Sequence, residues 1–378
     1  MAEGKFRAQR FLGCGYHTFV YSVTSMQKHD RGESYAMKRF FLHQPTPIIL
    51  AKREHDILKR ITLDPHSSPF LQKLHYSLVI QFSPVLVLTE ALGITIHDIL
   101  SITGHLEYED VKFYSSEIIC GLKYLHEKRI VHMELKPDNI LFSKSGHILI
   151  SDFDRSYDLS RFGRPSKAWE FCVNQYFAAP EIAKEEVISE KADVWSLGVL
   201  TALMHGIYIR PNNVDKEQGK KLAKRGYWYI RGFSNLPKDL QEFFNQVLST
   251  SYVLRPSIEQ VQRLGLFRDV DWQKVKELKV KPPISNCCLM GFVNIMKYDY
   301  NPTDPVLLQS LYTFQMPKVH EYNFQFVDDL NGNKNFIFVI PKIIPSPNFA
   351  LTLSEIFVEL RKFNFIHPVL NYLRLLMK

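Results

Sequence analysis

The alternation of apolar and polar positions divides the chain into an extended first part and a helical second part. Phe11–Val23 (FLGCGYHTFVYSV) carries apolar residues on both sides of a glycine pair, which predicts strand, turn and strand. Tyr35-Ala36-Met37-Lys38 is a short alternating strand that ends in a lysine. Ile49–Ile61 (ILAKREHDILKRI) changes to helical spacing, with Ile57, Leu58 and Ile61 on one face. Tyr108–Lys128 is a longer amphipathic helix whose inner face holds Val111, Tyr114, Ile118, Leu122 and Leu125. Near the end, Asn331-Gly332 between Phe324–Val327 and Phe336–Ile340 is a hairpin signal. Thr352-Leu353-Ser354-Glu355 fits a capping box ahead of Ile356, Phe357, Leu360 and Phe363, and His367-Pro368 begins a second helical stretch.

Composition narrows the class. With 378 residues, 46% of them hydrophobic, and with 27 Phe and 18 Tyr, the chain can bury a substantial core in one large or two modest domains. Its formal net charge of +8 is spread along the chain, so no nucleic-acid partner is expected. The five cysteines form no CxxC pair and no His-Cys metal spacing, which fits reduced thiols in the cytoplasm or nucleus. The polar start MAEGKFRAQR is not a secretory signal, and no apolar run reaches the roughly 20 residues of a membrane helix, so no membrane partner is expected.

Candidate chemistry concentrates at His132-Met133-Glu134-Leu135-Lys136-Pro137-Asp138-Asn139 and, a hairpin later, Ser151-Asp152-Phe153-Asp154. A carboxylate, a lysine, a carboxamide and a second carboxylate are what phosphoryl transfer needs. One acid orients the attacking hydroxyl, the lysine neutralises the moving phosphate, and amide plus acid hold Mg²⁺.

The order of these residues resembles the catalytic loop and metal-binding turn of protein kinases. Other segments carry the same resemblance: Gly13 and Gly15 with Val20 in the glycine loop, Ala36 and Lys38 in the strand that meets the phosphates, and Glu54 on the helix that positions Lys38. Pro69–Tyr76 and Pro84–Glu90 then look like the last two strands of the small lobe, with Leu92-Gly93 as hinge and with Glu90 and Ala91 facing adenine. Ala179-Pro180-Glu181, Asp193–Val199 and Arg255 complete the large lobe. Gly146-His147-Ile148, Phe171-Cys172 and Phe267–Trp272 are similar to the AGC group, particularly its ribosomal protein S6 kinase branch. Lys281-Pro282-Pro283-Ile284 looks like the start of that group's tail, and Asn323–Val327 is similar to its hydrophobic docking motif.

The resemblance implies an α+β, two-lobed fold that binds ATP and Mg²⁺ between the lobes. The implied layout is residues 1–92 for the β-rich lobe, 93–272 for the helical lobe, 273–330 for a tail and 331–378 for an extension of unknown role. Glu134 and Lys136 are the implied catalytic residues. Gly13, Gly15, Val20, Ala36, Lys38, Glu54, Glu90 and Asn139 are the nucleotide-binding set, and Asn139 and Asp152 the metal ligands.

The departures from the family pattern bear on phosphotransfer and control. Glu134 replaces the catalytic aspartate and Met133 the preceding arginine, while Glu170 occupies the usual phosphothreonine position and Gln325 the tail phosphoacceptor. Asp154 replaces the glycine of the metal-binding turn, Asn174 the threonine that contacts the catalytic acid, and Thr18 the third loop glycine. The expectation is a monomeric cytoplasmic or nuclear homologue that binds nucleotide, transfers phosphate weakly or not at all, and acts on a protein substrate or regulatory partner. Two alternatives stand beside it: an active serine/threonine kinase using Glu134 as base, and an interaction module without nucleotide.

Overall fold

The computed structural model describes residues 5–298 apart from 16, 41–45, 81–82, 162–170, 172 and 212–213, together with segments 324–328, 334–338 and 365–366. Five antiparallel strands open the chain: β1 (Phe6–Cys14), β2 (Thr18–Ser25), β3 (Ser34–Phe40), β4 (Leu74–Ile80) and β5 (Ser83–Thr89). Helix α1 (Thr46–Leu63) lies between β3 and β4 in sequence. The sheet order is β1-β2-β3-β5-β4, with a sixth strand at the β4 edge.

Strand β5 shows how the sheet divides its residues. Side chains alternate across a strand, and Leu86 and Leu88 enter the main core with Ile57, Leu58 and Ile61 of α1. Val85 and Val87 join Val23, Tyr35 and Tyr76 on the opposite face. Both faces of this strand are covered, which is why PVLVL reads as an unbroken apolar run rather than an alternating one. Only residues from Leu74 onward form the strand placed at Pro69–Tyr76 by sequence, and Leu71 makes an isolated bridge to Ile150.

The second lobe is built on α2 (Ile96–Thr103), α3 (Tyr108–Glu127), α4 (Pro180–Ala183), α5 (Lys191–Met204), α6 (Lys216–Arg225), α7 (Lys238–Val247), α8 (Ile258–Val261) and α9 (Trp272–Lys276). All five residues predicted for the inner face of α3 are buried. Helix α5 is apolar nearly all round and correspondingly enclosed, with Trp195 at its centre. Short strand pairs position the chemistry: β6 (Ile130–Val131) with β9 (Tyr157–Asp158), and β7 (Ile140–Phe142) with β8 (Ile148–Ile150).

After α9, the segment that resembles an AGC tail packs on the large lobe and then turns helical. Pro282 lies against Gly146, whose φ of +88° is a left-handed conformation that glycine tolerates. Asn286 donates to the Lys144 carbonyl at 2.9 Å and opens α10 (Asn286–Tyr298), which buries Leu289 and Val293. Strands β10 (Phe324–Asp328) and β11 (Lys334–Phe338) pair antiparallel, with Phe326 opposite Phe336. The Asn331-Gly332 turn between them lies outside the described residues, as do the capping box at Thr352–Glu355, the helical stretch after His367, and Glu170. The last strand, β12 (Phe365–Ile366), supplies the sixth position by pairing Phe365 with Ser77 and Ile366 with Tyr76 of β4. Among the described residues no helix is long and apolar enough to cross a membrane.

Candidate active site

Lys38 is delivered by the register of β3, where it pairs with Val20 on one side and Leu86 on the other. Its ammonium is buried and bridges two acids, Glu54 Oε2 at 2.8 Å and Asp152 Oδ1 at 2.6 Å. Burial opposes the Lys38 charge, but Asp152 and then Glu54 outweigh it and hold its pKa above the ordinary lysine value. The two acids divide unequally. Burial raises the Glu54 pKa despite Lys38, whereas at Asp152 the closer Lys38 overcomes burial and lowers it. Helix α1 is therefore tied to the turn that carries Asp152.

A second set of bonds fixes the loop around Glu134. Asp193 on α5 accepts from the backbone N–H of His132 at 2.8 Å and of Met133 at 2.9 Å, and also contacts His126 Nε2 at 2.9 Å. These bonds hold Met133 at φ 68°, and Asp152 is held at φ 67°. Left-handed non-glycine residues cost on the order of 1–3 kcal/mol each and persist only where the surroundings enforce them. His132 is fully buried, and that burial lowers its pKa. Its neutral ring fits the partners, with Nε2 donating to the Ser151 carbonyl at 3.0 Å and Nδ1 accepting from Glu134 N–H at 3.3 Å.

On this loop Lys136 Nζ donates to Glu134 Oε1 at 3.0 Å, and that carboxylate outweighs burial to raise the lysine pKa. Asn139 uses its amide nitrogen on the Glu134 carbonyl at 2.8 Å, leaving its amide oxygen as the group available to a cation. Glu134, Asp152 and Asp154 each bring a carboxylate oxygen within 4.8 Å of the others. Asp154 Oδ1 is buried without a hydrogen-bond partner. Burial, then the Asp152 charge, pushes the Asp154 pKa well above the usual carboxylate range. This donor set of hard oxygens, one of them without a hydrogen bond and 4.0 Å from Arg155 Nε, fits a divalent cation such as Mg²⁺.

The remaining predicted positions fall around the mouth of the cleft. Gly13 pairs with Val20 across β1 and β2, while Gly15 and Thr18 exchange backbone bonds at the turn. A Cβ at Gly15 would meet Thr18 Oγ1 at 2.9 Å, so a side chain there would have to turn the Thr18 hydroxyl aside. Ala36 is buried and Val20 packs against the core. The Glu90 side chain is held by Ser22 Oγ at 2.5 Å and by Lys144 Nζ at 2.9 Å. Leu92 N–H donates to the Phe142 carbonyl at 2.8 Å, and the Leu92 carbonyl accepts from Arg10 at 3.1 Å.

Residues 6–267 match a family profile described as "Protein kinase domain". The chain belongs to the protein kinase domain family. It is 30% identical over 288 residues to ribosomal protein S6 kinase alpha-6 of Mus musculus, an alignment covering 74% of this chain and 36% of that protein. It is 29% identical over 291 residues to ribosomal protein S6 kinase alpha-1 of Homo sapiens, covering 74% and 38% respectively. This kinase chain thus spans well under half the length of these relatives.

Within the kinase domain, the Glu181–Arg255 pair is bidentate, at 2.6 and 3.0 Å, and fully buried. Asn174 is not brought to Glu134. Its side-chain oxygen accepts from Tyr176 N–H at 3.0 Å and caps its own turn.

One positioning residue was not visible in the sequence. Arg60 near the end of α1 donates to Asp158 at 2.7 Å, to Ser160 Oγ at 3.1 Å and to the Lys128 carbonyl at 2.8 Å. It ties α1 to both β9 and the end of α3. Burial would raise the Asp158 pKa, but bonds from Ser160 and Arg60 lower it on balance. A carboxylate with a depressed folded pKa contributes full stability above its unfolded pKa of about 4 and loses it as pH falls through the folded value. Arg60→Ala is expected to lower unfolding free energy by about 2 kcal/mol at neutral pH, by loss of hydrogen bonds to a charged group. The gap from wild type should narrow below about pH 4. Urea unfolding of both proteins at neutral and acid pH measures it. A gap unchanged by acid would assign the effect to the Lys128 carbonyl instead.

Proposed function

We propose that this kinase domain binds ATP with Mg²⁺ between its lobes and transfers phosphate weakly or not at all, acting as a regulator of a protein partner. The observation that carries the reading is the pairing of an intact Lys38–Glu54–Asp152 triad with a Glu134 that lacks a bond from Asn174. In such a complex Lys38 would meet the α- and β-phosphates, and Glu90 and Ala91 would meet adenine, since both backbone groups of Leu92 are already engaged. Asp152 and Asn139 would hold the metal, with Asp154 beside them. Bound Mg²⁺ would neutralise charge on the β- and γ-phosphates. The longer Glu134 would orient a substrate hydroxyl less well than an aspartate, while Lys136 would stand near the γ-phosphate.

A second reading, an active serine/threonine kinase using Glu134 as base, draws on the 3.0 Å contact between Glu134 and Lys136, which keeps both catalytic groups together. The two readings share nucleotide binding. Mg-ATP at about 100 times its Kd should stabilise the protein by roughly 2.7 kcal/mol. Asp152→Asn should remove most of that gain. Chemical unfolding with and without Mg-ATP is the measurement, and a wild type indifferent to millimolar Mg-ATP would leave only an interaction module. Transfer from γ-labelled ATP, with Asp152→Asn as background, then separates the two readings.

A further inference from the structure

The outer face of α6 and the loops beside it form a surface that the cleft chemistry does not use. Helix α6 (KEQGKKLAKR) is anchored through Ala223, which is fully buried against Ala178 and Ala183. At about 100° per residue, Lys220, Lys224, Lys221 and Arg225 fall within an arc of about 140°, with Lys221 and Arg225 opposite Ala223 and the half-buried Lys220 at the flank nearest it. Glu217 is the one acid within that arc. Among the described residues no carboxylate pairs with any of the four cations.

Three exposed tyrosines adjoin this helix: Tyr208 (61% exposed), Tyr229 (60%) and Tyr227 (44%). Their backbones are fixed rather than loose. Tyr227 N–H bonds to the carbonyl of Leu222 in α6 at 3.0 Å, and Tyr229 N–H to Ile209 beside Tyr208 at 2.9 Å. Beneath them lies Arg210, 4% exposed and stacked 5.3 Å from the centre of the Trp195 ring. Arg210 donates to the Tyr227 carbonyl at 2.9 Å and to those of Gln175 and Tyr176 at 2.9 and 3.0 Å. Burial lowers its pKa to about 10, so at neutral pH it remains a cation, and among the described residues no carboxylate pairs with it. Arg210 therefore joins the tyrosine loops to residues 175–178, just before the Ala179-Pro180-Glu181 turn, and adds to the positive potential.

Exposed tyrosines are enriched in protein interfaces, where aromatic side chains give contact area at small entropic cost, and the cations beside them complement an acidic partner. We infer that this surface docks an acidic segment of a partner protein beside the Ala179-Pro180-Glu181 turn. The inference deepens the proposed function, on which its choice of a protein partner rests. The cations occupy one convex helix face rather than a groove that could track a phosphate backbone, which favours a peptide over a nucleic acid.

The test measures fluorescence anisotropy of a labelled Asp/Glu peptide with a central leucine, titrated with the full chain. An Asn/Gln version of the peptide and a single-stranded oligonucleotide of equal charge are run beside it. Lys220→Glu with Lys224→Glu, and separately Tyr208→Ala with Tyr229→Ala, should each weaken binding by about tenfold or more. All four positions are exposed or half-buried, so the melting temperature of each variant should match wild type. Failure of the wild type to bind the acidic peptide overturns the inference. So does a loss confined to the charge variant, which would mean bulk attraction alone, or tighter binding of the oligonucleotide. Asp152→Asn should leave peptide binding unchanged while removing the Mg-ATP effect, so failure of the nucleotide reading and failure of the docking surface are seen separately.

Discussion

Glu181→Ala is expected to lower the unfolding free energy by about 3–5 kcal/mol, the usual result of removing one partner from a buried ion pair. At about 2–4 °C per kcal/mol for a domain of this size, the melting temperature should fall by about 10 °C. The cause lies in what remains. Arg255 is fully buried and donates two bonds to the Glu181 carboxylate; it also donates to the carbonyls of Ser249 and Lys191 and lies over the face of Trp195 at 5.2 Å. Carbonyl dipoles satisfy the donors but not the charge. Glu181→Gln keeps one acceptor in place and should cost less than Glu181→Ala. Chemical unfolding curves of the three proteins give the ranking. An alanine variant within about 1 kcal/mol of wild type would mean that water enters and solvates Arg255.

Glu134→Asp is expected to raise phosphate transfer on the order of 10²-fold, the size of effect that a misplacement of about 1 Å produces at a reacting centre. The loop itself is well built: Asp193 and His132 fix its backbone, and Lys136 meets the carboxylate at 3.0 Å. The expected defect therefore lies in the extra methylene rather than in disorder. Transfer from γ-labelled ATP to a generic basic protein, corrected by Asp152→Asn, is the readout. Equal or lower transfer by Glu134→Asp would mean that the longer side chain already reaches the substrate hydroxyl and works as the base.

The parts of this molecule legible in the sequence are those in which neighbouring residues carry the signal. Lys38 ends a strand whose alternation is local, and Glu54 sits on a helix whose period names its face; their 2.8 Å contact follows from both. The catalytic loop was legible because its chemistry is compressed into eight consecutive residues. Arg60 and Asp158 were not, being separated by 98 positions, and neither belongs to a local pattern. Arg210 was invisible for a different reason: its partners are backbone carbonyls, which no side-chain motif records. Helix α10 is masked in the sequence although Leu289, Phe292 and Val293 recur at helical spacing, because the preceding Lys281–Ile284 resembles the start of an extended tail. Asn174 was legible as a departure, but the direction of its side chain was set by the turn that it caps.

The carboxylate of Asp193 also governs the order in which the molecule can assemble. The 132–139 loop has no repeating pattern of its own, and the backbone N–H groups of His132 and Met133 find their acceptor 61 and 60 residues later in the chain. Until α5 has emerged from the ribosome and docked, nothing holds Met133 in its left-handed conformation. A nascent or truncated chain ending before residue 193 would carry every residue of the Lys38–Glu54–Asp152 triad and still present no organised site. The organisation of the 132–139 loop is thereby a property of the completed large lobe.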